Sequence, residues 1–232
     1  MMTVRPIKVT PKFLKHPEGS CLFQMGETKV LCTTSISDDV PDHAKASSKG
    51  WLSSEYSMLP RATTTRSSRG KIASGGRTKE ISRLIGRSLR AVLDLSVIPE
   101  LSLMIDCDVI QADGGTRTAS INGGFVATVQ ALRLWRKSHP EMAWPVRESV
   151  AAVSVGLLDG KCYLDLDYDK DSRADVDLNV VMTGSGHFVE IQGNAEHKPF
   201  SHPELEKMLR VARQGIQKIL AVQKKVLGDV SR

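Results

Sequence analysis

The chain is poor in aromatic side chains: Phe, Trp and Tyr together make 5% of its 232 residues. No RNP-like aromatic motif occurs among them, which argues against a base-stacking recognition module. Cysteine is scarce too. Cys21, Cys32, Cys107 and Cys162 lie far apart, each within or beside an apolar stretch. There is no CxxC pair and no Cys/His ligand spacing, so neither a zinc site nor a disulfide scaffold is expected, and the four read as reduced, buried thiols in strands. The histidines show no metal spacing. The absence of GxxxxGK[ST] excludes a Walker-type nucleoside triphosphatase, and the absence of GxSxG or a Ser/His/Asp signature argues against triad catalysis. No apolar run approaches the ~20 residues of a membrane helix. The opening MMTVRPIKVTPK has no apolar core of a secretory signal, so a cytoplasmic location is expected.

What is present is an ordinary globular composition, 41% hydrophobic and 25% charged, with length enough to bury a core. The net charge of +6 is a weak hint of a polyanionic partner, but its distribution says more. Residues 61–90 carry Arg61, Arg66, Arg69, Lys71, Arg77, Lys79, Arg83, Arg87 and Arg90 against a single acid, Glu80. Residues 159–177 hold seven aspartates against Lys161, Lys170 and Arg173. Charge is segregated into one basic and one acidic segment, which solubility alone does not require.

Periodicity predicts a hairpin of Ser20–Met25 and Thr28–Ile36 around Gly26-Glu27. Residues 37–76 read mostly as loop, with a short element near Trp51–Leu59 and a mobile stretch at Ala62–Gly76. Ile81, Leu84, Ile85, Leu89 and Val92 fall at helical spacing, with Pro99 marking the end of that helix. Leu101–Ile110 alternates as a strand, broken by Asp113-Gly114-Gly115, and a helix runs from about Ser120 to Lys137. Two more hairpins follow, Val150–Leu158 with Lys161–Tyr168 and Val176–Thr183 with His187–Gln192. A long helix after Pro203 closes the chain. Strands followed by helices, twice over, predict an α+β fold of mixed and antiparallel sheets packed with helices, in two similar halves of about 1–140 and 141–232.

The sharpest local feature is Gln111-Ala-Asp-Gly-Gly-Thr-Arg-Thr-Ala-Ser120 between a strand and a helix. Glycines that turn tightly, an open helix start, a hydroxyl and a guanidinium together suit a phosphate; the alternative is an ordinary turn with a surface Arg. Gly75-Gly76-Arg77-Thr78 is a second glycine-rich, cationic helix entrance. The acidic segment Asp165 to Asp177 suits a hard cation such as Mg²⁺, or is a solvated acidic turn. Asp177 is the least comfortable in that second reading, because it heads an apolar strand. Asp106 and Asp108 also sit in an apolar strand, so at least one should be partly buried and partnered. These are the parts of metal-assisted chemistry at a phosphodiester.

Four segments carry a specific resemblance: Gly50-Trp-Leu-Ser-Ser-Glu-Tyr-Ser-Met-Leu-Pro-Arg61, Gly75-Gly-Arg-Thr-Lys-Glu-Ile-Ser-Arg-Leu-Ile-Gly-Arg-Ser-Leu-Arg90, Asp106-Cys-Asp-Val-Ile-Gln-Ala-Asp-Gly-Gly-Thr-Arg-Thr-Ala-Ser120 and Asp177-Leu-Asn-Val-Val-Met-Thr183. The sequence resembles the ribonuclease PH family from about Val4 to the C-terminal helix. The resemblance implies a ribosomal-protein-S5-domain-2-like fold over a single domain, residues 1–232. It implies phosphorolytic 3′→5′ trimming of tRNA precursor ends: inorganic phosphate releases nucleoside 5′-diphosphates, and the reverse reaction adds nucleotides. It further implies a homohexamer built as a trimer of dimers. Arg77, Gly115, Thr116 and Arg117 match the family's phosphate site, with Arg117 also catalytic. Asp171 and Asp177 match its catalytic carboxylates that hold Mg²⁺ or Mn²⁺, and Arg61, Arg66 and Arg69 its RNA-binding loop. The sequence departs from the family at two places. Only Met1-Met2-Thr3 precede Val4, where family members carry a short Arg- and Gly-containing segment, and Leu178 replaces the usual Met.

Overall fold

The computed structural model describes residues 3–45 and 48–231; Met1 and Met2, part of the short start noted above, lie outside them. Two sheets and the helices between and behind them form the architecture. The first sheet orders its strands β1-β2-β3-β5-β4, with β1 at Ile7–Pro11, β2 at Gly19–Met25, β3 at Thr28–Ser37, β4 at Trp51–Met58 and β5 at Ser102–Gln111. All its neighbours pair antiparallel except β4 and β5, which run parallel and are linked by a helical crossover. The second sheet orders β7-β6-β8-β9, from β6 at Val150–Leu158, β7 at Lys161–Leu164, β8 at Val176–Thr183 and β9 at Phe188–Ala195, all antiparallel. The expected α+β class, with mixed and antiparallel sheets, is what the chain adopts.

Alternation sets the first sheet. Leu103, Ile105, Cys107 and Val109 of β5 are all buried against the helices, while Asp106 and Asp108 on the other face are half-buried. Burial raises the carboxyls of both above the usual range, and Thr33 donates to Asp106 at 3.5 Å. Cys21, Cys32 and Cys107 stand opposite one another across β2, β3 and β5. These three are buried free thiols, as is Cys162, and burial pushes the Cys32 thiol well up.

Helix α4, Thr116–Arg136, lies between the two sheets and is buried along most of its length. Small residues such as Ala119, Ser120, Gly123, Gly124 and Ala127 let it approach closely on every side. Asn122 clips it to β6, its amide donating to Ala152 O at 2.9 Å and its carbonyl accepting from Ala152 N at 2.8 Å. Helix α6, His202–Leu227, covers the other face of the second sheet, starting with a capping box between Ser201 and Glu204. The strand β6 is therefore buried almost throughout and apolar but for Ser154, since both its faces are covered.

Several boundaries differ from the sequence expectation. Helix α3, Gly76–Arg90, ends well before Pro99, because Val92, Leu93, Ile98 and Leu101 are buried in an irregular connection instead. Helix α4 starts at Thr116 rather than near Ser120. The stretch expected as a mobile loop contains the short helix α2, Arg69–Ser74, and a turn closed by Ser67 N to Pro60 O at 2.9 Å. A further one-turn helix, α5, Tyr168–Asp171, interrupts the acidic segment, with Asp167 as its N-cap; β7 accordingly stops at Leu164. The remaining short helix, α1, spans Asp42–Lys45.

Candidate active site

Strand β5 ends at Gln111, and the chain must reverse into α4 within four residues. Gly114 and Gly115 do this at φ +72° and +65°, in the left-handed region that favours glycine. A Cβ on Gly114 would stand 2.2 Å from Leu166 O, so the loop passes directly under the segment after β7. Thr28 fixes it from below, its buried hydroxyl donating to Gly114 O at 2.7 Å and accepting from Asp113 N at 2.9 Å. No side chain caps the start of α4, which leaves its first N–H groups and the positive end of its dipole toward the cleft.

That cleft has a volume of about 330 Å³. Arg77, Gly115, Thr116, Arg117, Asp171 and Asp177 all line it, so every predicted phosphate and carboxylate residue comes together. They arrive from four elements: Arg77 from the first turn of α3, Thr116 and Arg117 from that of α4, Asp171 from α5 and Asp177 from β8. Arg61, Arg66 and Arg69 do not line the cleft. They are exposed beside it, on the segment whose Thr63 does line it and whose Ala62 O accepts from Ala112 N at 2.8 Å.

Thr116 is held by the buried Tyr56 hydroxyl at 2.9 Å. Arg117 Nη1 donates to Gln192 Oε1 at 2.6 Å and to Glu80 Oε1 at 3.3 Å, and Gln192 in turn donates to Glu80 at 2.9 Å. A guanidinium so braced presents its remaining N–H groups in a fixed direction. Sequence reasoning missed Tyr56, Glu80 and Gln192; Glu80, the lone acid of the basic segment, was the one available signal.

The two carboxylates behave differently from the other aspartates of their segment. Burial raises the Asp171 carboxyl, against the opposing pull of Arg77 and Arg117. Asp177 is pushed up to about 6, first by burial and then by the Asp171 charge, while Arg117, Asn179 and Arg77 pull the other way. Asn179 donates to Asp177 Oδ2 at 3.2 Å, but the buried Oδ1 has no partner. Two carboxylates lining one cleft, Asp177 raised in part by the Asp171 charge and carrying an orphaned oxygen, suit a hard divalent cation that keeps waters and shares substrate phosphates. Among the described residues no group of three or more His, Cys, Asp or Glu side chains forms a fuller cage. Three other aspartates of the segment are engaged elsewhere. Asp167 pairs with Lys170, Asp169 with Arg173 at 2.8 Å, and Asp165 is buried against Arg5 at 2.7 Å.

That last pair was also missed. Asp165 accepts from Arg5 N, Nε and Nη2, and the same guanidinium donates to the carbonyls of Asp113 and Gly114. Residues from the start of the chain, the glycine turn and the second sheet are thereby locked into one corner of the cleft.

Comparison with known proteins shows the family. Residues 3–132 match the 3′ exoribonuclease family, domain 1, and residues 148–215 match its domain 2. Ribonuclease PH of Listeria welshimeri is 51% identical over 231 residues, covering 97% of this chain and 92% of the relative, and that of Listeria monocytogenes is equally similar. Rice Rrp46 shares the fold with a TM-score of 0.80 at 17% identity, over 97% of this chain and 96% of that one. A subunit of the Archaeoglobus fulgidus exosome, solved with RNA bound to its active site, does so at 0.80 and 19% identity, over 96% and 89%. Both family matches in sequence order, together with half-identity to named relatives along nearly its whole length, establish that the chain belongs to the ribonuclease PH family of 3′ exoribonucleases.

Proposed function

We propose that this chain is a phosphorolytic 3′→5′ exoribonuclease that trims tRNA precursor 3′ ends. An oxygen of inorganic phosphate attacks the terminal phosphorus, the bond to the preceding 3′ oxygen breaks, that oxygen takes a proton, and a nucleoside 5′-diphosphate leaves. The reverse reaction adds nucleotides to RNA 3′ ends. The observation that carries this reading is the meeting of Arg77, Thr116 and Arg117 with Asp171 and Asp177 in one cleft.

Phosphate is already a nucleophile, so no side chain has to generate one. The chain's task is to hold two mutually repelling anions within bonding distance and to stabilise charge in the transition state. Arg77, the glycine turn, Thr116 and Arg117 bind and orient the attacking phosphate. Asp171 and Asp177 would hold Mg²⁺ or Mn²⁺, which when bound neutralises charge on the scissile phosphate. Tyr56, Glu80 and Gln192 keep Thr116 and Arg117 in place. Exposed Arg61, Arg66 and Arg69 draw the RNA backbone to the cleft. In this reading the working form is a homohexameric trimer of dimers in the cytoplasm. Among the described residues no helix is long and apolar enough to cross a membrane.

The test is incubation of a 3′-extended tRNA precursor with Mg²⁺, with and without inorganic phosphate, followed by identification of the released nucleotide. Diphosphates appearing only with phosphate are expected. Monophosphates without phosphate would make the enzyme hydrolytic. Bound RNA with no release would make it a silent RNA-binding subunit.

A further inference from the structure

The floor of the cleft contains a polar group that the proposed chemistry does not yet use. Two buried side-chain oxygens there have no hydrogen-bond partner, Asp177 Oδ1 and the hydroxyl of Ser154. Ser154 is 2% exposed and lines the cleft. On β6 it stands opposite Asn179 of β8, and Gly156 stands opposite Asp177. Strand side chains alternate between faces, so Ser154, Asn179 and Asp177 share one face, with Ser154 diagonal to Asp177. The other face of β6 belongs to α6, where Val153 packs beside Gly215.

Val153 and Val155 beside Ser154 on β6, and Ala152 two residues before it, are all buried. A hydroxyl buried there with nothing to bond destabilises the fold relative to alanine, unless a bound species satisfies it. Protein groups nearby are already committed: the Asn179 amide donates to Asp177 Oδ2, and Thr116 to Tyr56 or from it. The fully buried side-chain oxygens left without a partner among the described residues of this floor are one carboxylate oxygen and one hydroxyl, diagonal to each other on neighbouring strands. A hard divalent cation on a carboxylate retains several waters, and these are strong donors that need acceptors.

We propose that Ser154 is a positioning residue for the divalent cation held by Asp177, its hydroxyl accepting a hydrogen bond from one of the cation's coordinated waters. The inference rests on the cation site of the preceding reading and adds to it the group that orients the hydration shell.

Mn²⁺ binding to the full chain, without RNA or phosphate, tests it by electron paramagnetic resonance in the parent, Ser154→Ala, Ser154→Cys and Asp177→Asn. Inorganic phosphate binding without metal and the melting temperature of the metal-free proteins are measured alongside. Ser154→Ala is expected to bind Mn²⁺ about 10-fold more weakly or worse, the usual cost of losing a group that orients a metal's ligands. Its phosphate affinity should match the parent, and its metal-free form should melt no lower. Ser154→Cys, of similar size but a poor acceptor, should follow Ala. Parental Mn²⁺ affinity in Ser154→Ala, beside lost binding in Asp177→Asn, would overturn the inference and leave the cation site standing. Weakened phosphate binding with parental Mn²⁺ affinity would assign the hydroxyl to the anion and also overturn it. A parent that binds no Mn²⁺ would remove the cation site and this inference together.

Discussion

Asp177 owes its behaviour to place rather than to type. Held at about 6 by burial and the Asp171 charge, it keeps its proton to a higher pH than an ordinary aspartate in the metal-free protein. A carboxyl raised in the folded state stabilises fully below its ordinary value of 3.8, and that contribution is lost as pH rises through about 6. Cation binding requires the ionised form and so releases a proton in that range. The affinity for Mg²⁺ is therefore expected to fall as pH drops below about 6, and Asp177→Asn to bind Mg²⁺ poorly at every pH. Calorimetric Mg²⁺ titrations at several pH values check this, and an affinity flat from about pH 5 to 7 would contradict it. Arg117 makes the complementary case. Its guanidinium is mostly buried and braced by Gln192 and Glu80, which is what a donor aimed at developing charge needs. Arg117→Ala should lose about 100-fold or more in turnover, while RNA affinity, which depends on other residues, stays near the parental value. Single-turnover rates at limiting and high phosphate check it; equal rates for mutant and parent at limiting phosphate would refute the role.

At the scale of elements, the cleft exists because the strand-to-helix turn after β5 is gripped from three directions. The grip that spans most sequence is Arg5 with Asp165, whose carboxylate is fully buried. Asp165→Asn keeps the shape but leaves the guanidinium underpaired, and breaking one side of a buried pair costs about 3–5 kcal/mol. Denaturant unfolding should show that loss. Phosphate binding should weaken too, although Arg77, Thr116 and Arg117 are untouched. An Asp165→Asn protein of parental stability would show that Thr28 alone suffices to hold the loop. The same contact marks how far sequence could be read. Elements set by local pattern were legible: the alternation of β5, the apolar stripes of α3 and α6, the hairpins with glycine turns, and the Gly-Gly entrances of α3 and α4. The acidic segment was legible only as a group. Which two of its seven aspartates face the cleft depends on α5, on the N-cap role of Asp167 and on an arginine 160 positions away. Trp51–Met58 looked like an uncertain element because its polar serines and Glu55 break the alternation, yet as β4 it pairs in parallel along β5. Strand β1 gave too short a pattern to stand out, and it is secured by pairing with β2 and by Arg5 just before it.

Across the whole molecule, the segregated charge acquires a geometry. The acidic segment supplies the floor of the cleft through Asp171 and Asp177, and the basic segment supplies both a wall, through Arg77, and the exposed rim. Not every basic residue of that segment is available to RNA. Arg87 pairs with Glu190 at 2.7 Å, and Arg90 donates to Leu52 O at 2.7 Å beneath the first sheet's edge. The rim formed by Arg61, Arg66 and Arg69 is exposed and stands on a turn tied by Ala62 to the residue after β5. In the proposed reading it meets the backbone of an RNA whose 3′ end lies in the cleft, through charge rather than base edges. Each phosphate neutralised on a single strand contributes roughly 0.7 to the slope of log affinity against log salt. Replacing all three arginines by alanine should reduce that slope by roughly 2, and weaken binding equally for unrelated sequences. Cleavage of a bound end should persist at saturating RNA, because none of the three lines the cleft. Fluorescence anisotropy of unrelated labelled single strands over ~50–200 mM salt measures the slope. A triple variant with the parental slope would place the RNA path on another face of the molecule, and one that binds normally but no longer cleaves would place these arginines within the chemistry itself.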